Sequence, residues 1–206
     1  MNLSKNINWN SLPGLILACA LAGALSGPVS CNRNPSPGVI IRTELGEIEL
    51  AVYREQAPVT ASNFLALVEQ GAYTNSLFYR VVRMNNQPHN HIKIEVIQGG
   101  LYDDSLINTV PTIAHETTLE TGILHTNGVI SMARNKPGTA STEFFICIGD
   151  QPSLDFGGGR NPDGQGFAAF GKVSRGMEIV KEIQALSDSG QYLTNPLVIQ
   201  EMVIVP

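Results

Sequence analysis

Basic charge, cysteine and regular metal-ligand spacing are all scarce in this sequence, and each scarcity removes a class of protein. Lys and Arg number 13 against 18 Asp and Glu, for a formal charge of -5. A chain that tracks phosphate backbones carries a basic patch or stripe, so nucleic acid is excluded as a partner. The three cysteines, Cys19, Cys31 and Cys147, are too few for a disulfide scaffold and lack the paired spacing that holds zinc. The fold must therefore rest on its own apolar core, which 206 residues at 43% hydrophobic can supply. Charged residues make up only 15% of the chain, which does not suit a disordered tail. Punctuation is plentiful: 20 glycines and 12 prolines fall between short apolar runs, a pattern of strands and turns rather than of a helical bundle.

The first 37 residues read as a leader and tether. Lys5 is the only charge before Arg33, and it precedes the apolar stretch Leu12 to Leu25, which is the grammar of a signal peptide. Those 14 residues would reach about 21 Å as a helix, short of the roughly 30 Å hydrocarbon core. The leader can end in two ways. Ordinary cleavage would fall near Ala24 to Ser26, whereas Ser30-Cys31 reads as a lipoprotein processing site that would leave a lipidated Cys31 holding the chain at a membrane. Either way the chain is expected to be exported to a periplasm or cell envelope, with Asn32 to Pro37 as a polar tether and the folded domain over residues 38–206.

Within that domain the periodicity predicts strands broken by turns. Val39 to Thr43 and Glu47 to Val52 form a hairpin, the second run alternating acidic and apolar residues as a strand with one wet face does. Pro58 to Gln70 has proline at its start, Gly71 as its stop and Val59, Phe64, Leu67 and Val68 near one face, so it is a helix. Strands are expected at Leu77 to Val82, Lys93 to Gln98, Gly128 to Ala133, Glu143 to Ile148, Phe167 to Val173 and Leu197 to Val205, with a second amphipathic helix at Gly176 to Leu186. About eight strands and two helices imply an all-β domain, a closed barrel with two capping helices.

Four apolar strands carry an isolated polar member beside aromatics. Arg80 interrupts FYRVV at 78 to 82, and Gln98 precedes the glycine pair of VIQGG at 96 to 100. GVISMAR at 128 to 134 and TEFFICIGDQPSLD at 142 to 155 have the same build, and GFAAFGKV follows at 166 to 173. In order and approximate spacing these five elements resemble the cyclophilin-type peptidyl-prolyl isomerases over nearly all of residues 39 to 205. The resemblance implies an eight-stranded antiparallel closed barrel with the site on its outer face and no cofactor or metal. It also implies that Arg80 is the catalytic arginine, Gln98 its support and Phe145 the aromatic floor of a proline pocket. Val96, Leu154 and Phe167 would line that pocket, and Ala133, Arg134 and Glu143 would contact the substrate backbone and the residue before proline.

The chain departs from the family pattern at five places. Tyr79 stands where a histidine often precedes the catalytic arginine, and Phe167 replaces another histidine. Glu95 takes the place of a pocket-wall phenylalanine if the register runs straight through Gln98, and would then hold Arg80 or Arg134 instead. Residues 83 to 92 (RMNNQPHNHI) are an insertion that would form a lid or an extra contact surface. Ser153 replaces a tryptophan used for cyclosporin binding, so weak inhibition is expected.

Other motifs are read as structural. His89 and His91 belong to a solvated loop and not to a metal site, Asn161 to Gln165 is a turn, Gly157 to Gly159 a flexible bend, and Cys147 a buried small apolar residue. Two functions stay open: a monomeric isomerase acting on proline-containing polypeptides, or a module of the same fold that binds proline segments without turnover.

Overall fold

The computed structural model describes residues 37–206. Residues 1–36, which hold the expected leader, Cys31 and most of the tether, lie outside the described residues. Among the described residues no helix is long and apolar enough to cross a membrane.

Among the described residues, nine strands and four helices follow in chain order. They are β1 (Gly38–Thr43), β2 (Gly46–Val52), α1 (Pro58–Glu69), β3 (Ser76–Val82), β4 (Val96–Gly100), α2 (Asp104–Ile107), α3 (Thr118–Thr121), β5 (Val129–Met132), β6 (Phe144–Cys147), β7 (Ala168–Arg175), α4 (Met177–Ala185), β8 (Asp188–Ser189) and β9 (Tyr192–Val205). A 3-10 turn covers Pro152–Leu154. The strands pair in the order β1-β2-β7-β5-β6-β4-β3-β9, and β9 returns to β1, so eight antiparallel strands close a barrel. Closure removes the unpaired edges that an open sheet would expose. The short β8 adds a hairpin to the start of β9 outside the ring.

Strand alternation fills the barrel. Val39 and Ile41 of β1, Ile48, Leu50 and Val52 of β2, and Phe144 and Ile146 of β6 point inward and are fully or almost fully buried. Helix α1 closes one end with Phe64, whose ring packs at 5.5 Å from Tyr73, 6.0 Å from Phe144 and 4.9 Å from Phe170. Its N-cap position is Ala57, which has no capping side chain. The Glu116 carboxylate, 56 residues away, takes over by accepting from the amides of Thr60 (2.7 Å) and Val59 (3.1 Å). Helix α4 starts from Gly176 in the left-handed region (φ 94), where an added Cβ would collide with the Glu47 backbone.

A second apolar cluster sits outside the barrel: Val82, Ile94, Val96, Phe145, Cys147 and Leu154, with Ala133 and Phe167 packed against it. Val82, Val96, Phe145 and Cys147 are outward residues of strands whose inward residues build the core, and Ile94 and Leu154 come from the loops that pack over them. A sheet apolar on both faces needs something to cover the outer one, and here the loops after β3 and β6 do so. Cys147 belongs to this cluster, and burial pushes its thiol pKa up.

The strand expected over Lys93 to Gln98 begins three residues later. Ile94 is held by the Gln87 side chain, which donates to the Ile94 carbonyl at 2.7 Å and accepts from its amide at 3.3 Å, so this segment is fixed by a side chain and not by a ladder. The final strand starts at Tyr192 rather than Leu197 because the β8 hairpin extends it.

Candidate active site

The site is a row of residues across adjacent strands. Ser131 on β5 pairs with Phe145 on β6, Phe145 with Gln98 on β4, Gln98 with Arg80 on β3, and Arg80 with Tyr192 on β9. A bulge in β3 shapes this row. Phe78 pairs with Gly99 and Arg80 with Gln98, so Tyr79 is an extra residue with no ladder partner. Phe78 and Val81 both enter the core, which leaves Tyr79 and Arg80, although consecutive, on the outer side. Gly99 makes the fit possible, since a Cβ there would lie 2.9 Å from the Phe78 ring.

Arg80 is held entirely by neutral amides among the described residues. Its Nη1 donates to Gln98 Oε1 at 2.8 Å, while Nη2 and Nε donate to Gln191 Oε1 at 2.6 and 3.2 Å. Burial pulls its pKa below the usual arginine value, yet a guanidinium stays charged. Gln98 in turn donates from Nε2 to the Tyr79 hydroxyl at 2.6 Å, and that hydroxyl donates to Glu143 at 2.5 Å. Burial raises the Tyr79 pKa well beyond the ordinary tyrosine value.

Beside Arg80 opens a cavity of about 900 Å³ that all nine residues singled out in the sequence line: Arg80, Gln98, Phe145, Val96, Ala133, Arg134, Glu143, Leu154 and Phe167. Phe145 and Phe167 meet edge to face at 5.2 Å and 87°. Arg134 lies 5.2 Å above the Phe167 ring and is fixed there by the Asp163 carboxylate (2.7 and 2.9 Å) and the Gly166 carbonyl. Those bonds hold the Asp163 carboxyl down at about 2. Ala133 reaches the rim through its amide, which donates to the Glu143 carbonyl at 2.8 Å.

The Glu143 side chain turns inward as a clamp. Its carboxylate accepts from the amides of Leu101 (2.7 Å) and Tyr102 (3.4 Å), from the Tyr79 hydroxyl, and from Thr142 Oγ1 at 3.2 Å. Gly100, at φ 148, leaves room for it. Burial keeps the carboxyl above the ordinary carboxylate range even though these donors pull the other way.

The register runs straight from Val96 to Gln98, and the structure corrects the part expected of Glu95. The pocket wall at this point is Ile94, which belongs to the outer cluster and lines the cavity. Glu95 instead uses its carbonyl to accept from the Ile148 amide at 2.9 Å. It pairs with neither Arg80 nor Arg134, whose partners are the residues just given.

The insertion 83–92 is a brace. Arg83 bonds the Asp188 carboxylate and the Gln184 and Leu186 carbonyls, and Asn86 donates to Asp188 at 3.1 Å. The Asn86 carbonyl accepts from Gln191 Nε2 at 3.1 Å, so the loop is wired to Arg80 through one glutamine. Its far end meets the loop after Leu154: Arg160 donates to the Ile92 carbonyl at 2.6 Å, and a Cβ on Gly159 would stand 2.5 Å from Ile92 Cδ1. The Gly157 to Gly159 bend thus serves close approach, since a Cβ on Gly158 would also stand 2.6 Å from the Ser153 backbone. His89 and His91 are exposed on this loop.

Three further features had no clear signal in the sequence. Gln191, Arg80's second support, sits in a turn at φ 79. Tyr102 and Tyr192 flank Tyr79 at 4.7 and 6.5 Å. Beneath Phe145, His125 stacks at 5.9 Å and 15°, with Nδ1 2.7 Å from Asp155 Oδ1 and Nε2 3.0 Å from Ser131 Oγ. That order of groups is the one found in nucleophilic triads, but Ser131 is completely buried, so it reaches no substrate and the relay supports the pocket floor.

Comparison with known proteins returns the same barrel and one family. The family model for the cyclophilin type peptidyl-prolyl cis-trans isomerase matches residues 38–204. A peptidyl-prolyl cis-trans isomerase of Acinetobacter baylyi is 30% identical, covering 81% of this chain and 80% of that protein. The peptidyl-prolyl cis-trans isomerase A of Dickeya dadantii is 33% identical, covering 82% and 85%. A crystal structure of a cyclophilin type isomerase from Cryptosporidium parvum superposes with a TM-score of 0.64 at 24% identity, over 82% of this chain and 97% of that one. With the family model spanning the whole barrel, the chain belongs to the cyclophilin-type peptidyl-prolyl cis-trans isomerases.

Proposed function

We propose that Arg80 is the group through which this isomerase accelerates X-Pro rotation in polypeptides, with Gln98 as its support and the Phe145 pocket as the anchor for the proline ring. The reaction needs no covalent step and no cofactor. Amide resonance sets a barrier of about 18 to 20 kcal/mol, and uncatalysed rotation takes roughly tens to hundreds of seconds. A catalyst must bind the twisted amide better than either planar form. In the twisted state the proline nitrogen recovers its lone pair, so a donor aimed at that nitrogen, or holding the proline carbonyl, favours the twist. One preorganised donor in a dry site supplies about 3 to 4 kcal/mol.

The observation that carries this reading is the company Arg80 keeps. A half-buried guanidinium bonded only to amide oxygens retains its full charge for a substrate, and it stands one ladder position beyond Gln98 from the Phe145 floor. Gln98 and Gln191 take three of the five N–H groups of the planar fork, so it is held at both edges and still has one N–H on each terminal nitrogen to donate, which lysine cannot match. The apolar pocket restrains the proline ring while the preceding carbonyl swings. In a protease-coupled assay on a cis-enriched Ala-Pro peptide, Arg80→Ala lowers kcat/KM by about a hundredfold or more. Equal rates for a variant that melts like the wild type would remove the assignment.

We infer further that the clients are exported polypeptides and that a lipid on Cys31 holds the domain at a membrane. The support is the leader: a single early lysine, an apolar stretch too short to span a bilayer, and Ser30-Cys31 before a polar tether. Intact mass of protein extracted from membranes separates a lipidated Cys31 terminus from cleavage near Ala24 to Ser26.

A further inference from the structure

If Arg80 engages the amide or carbonyl of a bound proline, the next residue of the substrate departs from that carbonyl, with its Cα about 3.8 Å from the proline Cα. With the proline ring on Phe145 and its carbonyl at Arg80, a chain that follows the row Phe145–Gln98–Arg80–Tyr192 would continue to the far side of Arg80. That side is aromatic. Tyr192 is Arg80's ladder partner on β9, Tyr79 is its neighbour in sequence, and Tyr102 packs against Tyr79. Tyr192 lies nearly parallel to Tyr79, with 17° between their planes. Tyr79 is buried and pinned through its hydroxyl to Gln98 and Glu143, whereas Tyr102 and Tyr192 present about half their surface, 49% and 53%. Single exposed aromatics are ordinary. Three rings together on the wall of the cavity, continuous with the proline pocket and preorganised by hydrogen bonds, make a binding surface.

We propose that Tyr79, Tyr102 and Tyr192 form a subsite for an aromatic or large apolar side chain on the residue immediately after proline. This rests on Arg80 as the catalytic arginine. The chemistry is selective in both directions: ring faces and edges favour an apolar or aromatic group, and the Arg80 charge beside them disfavours a lysine or arginine in that place.

The test is exchange NMR on Ala-Pro-Phe, Ala-Pro-Gly and Ala-Pro-Lys peptides, which needs no coupled protease. The wild type should turn over the Phe peptide on the order of tenfold better in kcat/KM than the Gly peptide, with Lys lowest, the scale that an aromatic contact with its buried area provides. Tyr102→Ala combined with Tyr192→Ala should bring the Phe to Gly ratio to within about twofold, while Tyr102→Trp with Tyr192→Trp should preserve it. A wild-type rate that depends on Arg80 but is blind to the following residue overturns the subsite alone, as does a ratio undiminished in the double alanine variant. If Arg80→Ala matches the wild type on every peptide, the catalytic assignment fails and takes the subsite with it.

Discussion

Gln191 Oε1 accepts two hydrogen bonds from Arg80, at 2.6 Å from Nη2 and 3.2 Å from Nε, and its own Nε2 donates to the Asn86 carbonyl at 3.1 Å. One amide thus fixes the edge of the guanidinium that Gln98 leaves free and ties it to the 83–92 insertion. Its backbone is secured as well, because its amide donates to Asp188 at 3.0 Å and its carbonyl accepts from Val81 at 2.8 Å. Removing the side chain should let the fork swing without removing its charge. Gln191→Ala is expected to lower kcat about tenfold, within the range of a hydrogen bond to a charged group, and to leave KM for a short Ala-Pro peptide nearly constant. A rise in KM with kcat retained would show that Gln191 binds substrate rather than positioning Arg80.

The contrast between Gln191 and Gln98 shows what the sequence could disclose. Gln98 and Arg80 are polar singletons in apolar strands, so their pattern marks them, and the order of the five strand segments locates Phe145 and the rest of the cavity lining. Gln191 lies in a polar turn, where a glutamine carries no signal; only the β8 hairpin brings it back to β3. His125 is invisible for the same reason, since Asp155 is 30 residues away and Ser131 looks like any strand serine. Glu95 is obscured for a different reason: the run from Lys93 to Gln98 has the pattern of one continuous strand, whereas Gln87 pins Ile94 from the loop and Ile94 lines the cavity.

Glu143 gives the site a sign for its pH response. Its carboxyl is held above the ordinary value of 4.5, chiefly by burial. The folded state therefore binds this proton more tightly than the unfolded chain, and Glu143 adds stability as pH falls through its folded pKa toward 4.5. Protonation weakens the acceptor that holds the Leu101 amide and the Tyr79 hydroxyl, and through Tyr79 it loosens Gln98. Activity should thus decline on the acid side while this group's own contribution to stability rises, and Glu143→Gln should remove that acid limb. Profiles of kcat/KM against pH, read beside melting temperatures at the same pH values, check both. An acid limb unchanged in Glu143→Gln would assign it elsewhere.

Ser153 stands on the 3-10 turn before Leu154 and is not among the residues that line the cavity. It offers neither the area nor the ring donor of an indole. Titration of the purified domain with cyclosporin in the Ala-Pro assay should require far more than nanomolar ligand, and Ser153→Trp should tighten inhibition. Nanomolar inhibition of the unaltered domain would overturn the expectation.

Gly100 tests whether the Glu143 clamp matters to catalysis. At φ 148 it occupies a backbone region that side chains rarely adopt, and an added Cβ would stand 2.5 Å from Glu143 Cδ. Gly100→Ala must either shift the β4 terminus or expel the carboxylate, leaving the Leu101 amide without its acceptor. Losing a buried hydrogen-bond partner costs about 1 to 3 kcal/mol, so the melting temperature should fall by several degrees. Stability alone does not separate strain from a lost clamp, but activity does. If Glu143 works through Tyr79 and Gln98, Gly100→Ala should lower kcat at temperatures well below its melting point, in the same direction as Tyr79→Phe, which removes the linking hydroxyl while keeping the ring. The two changes act on one chain of bonds, so their effects combined should be less than additive. A Gly100→Ala variant that is less stable yet has full kcat, or that adds fully to Tyr79→Phe, would make the clamp a structural brace with no part in positioning Arg80.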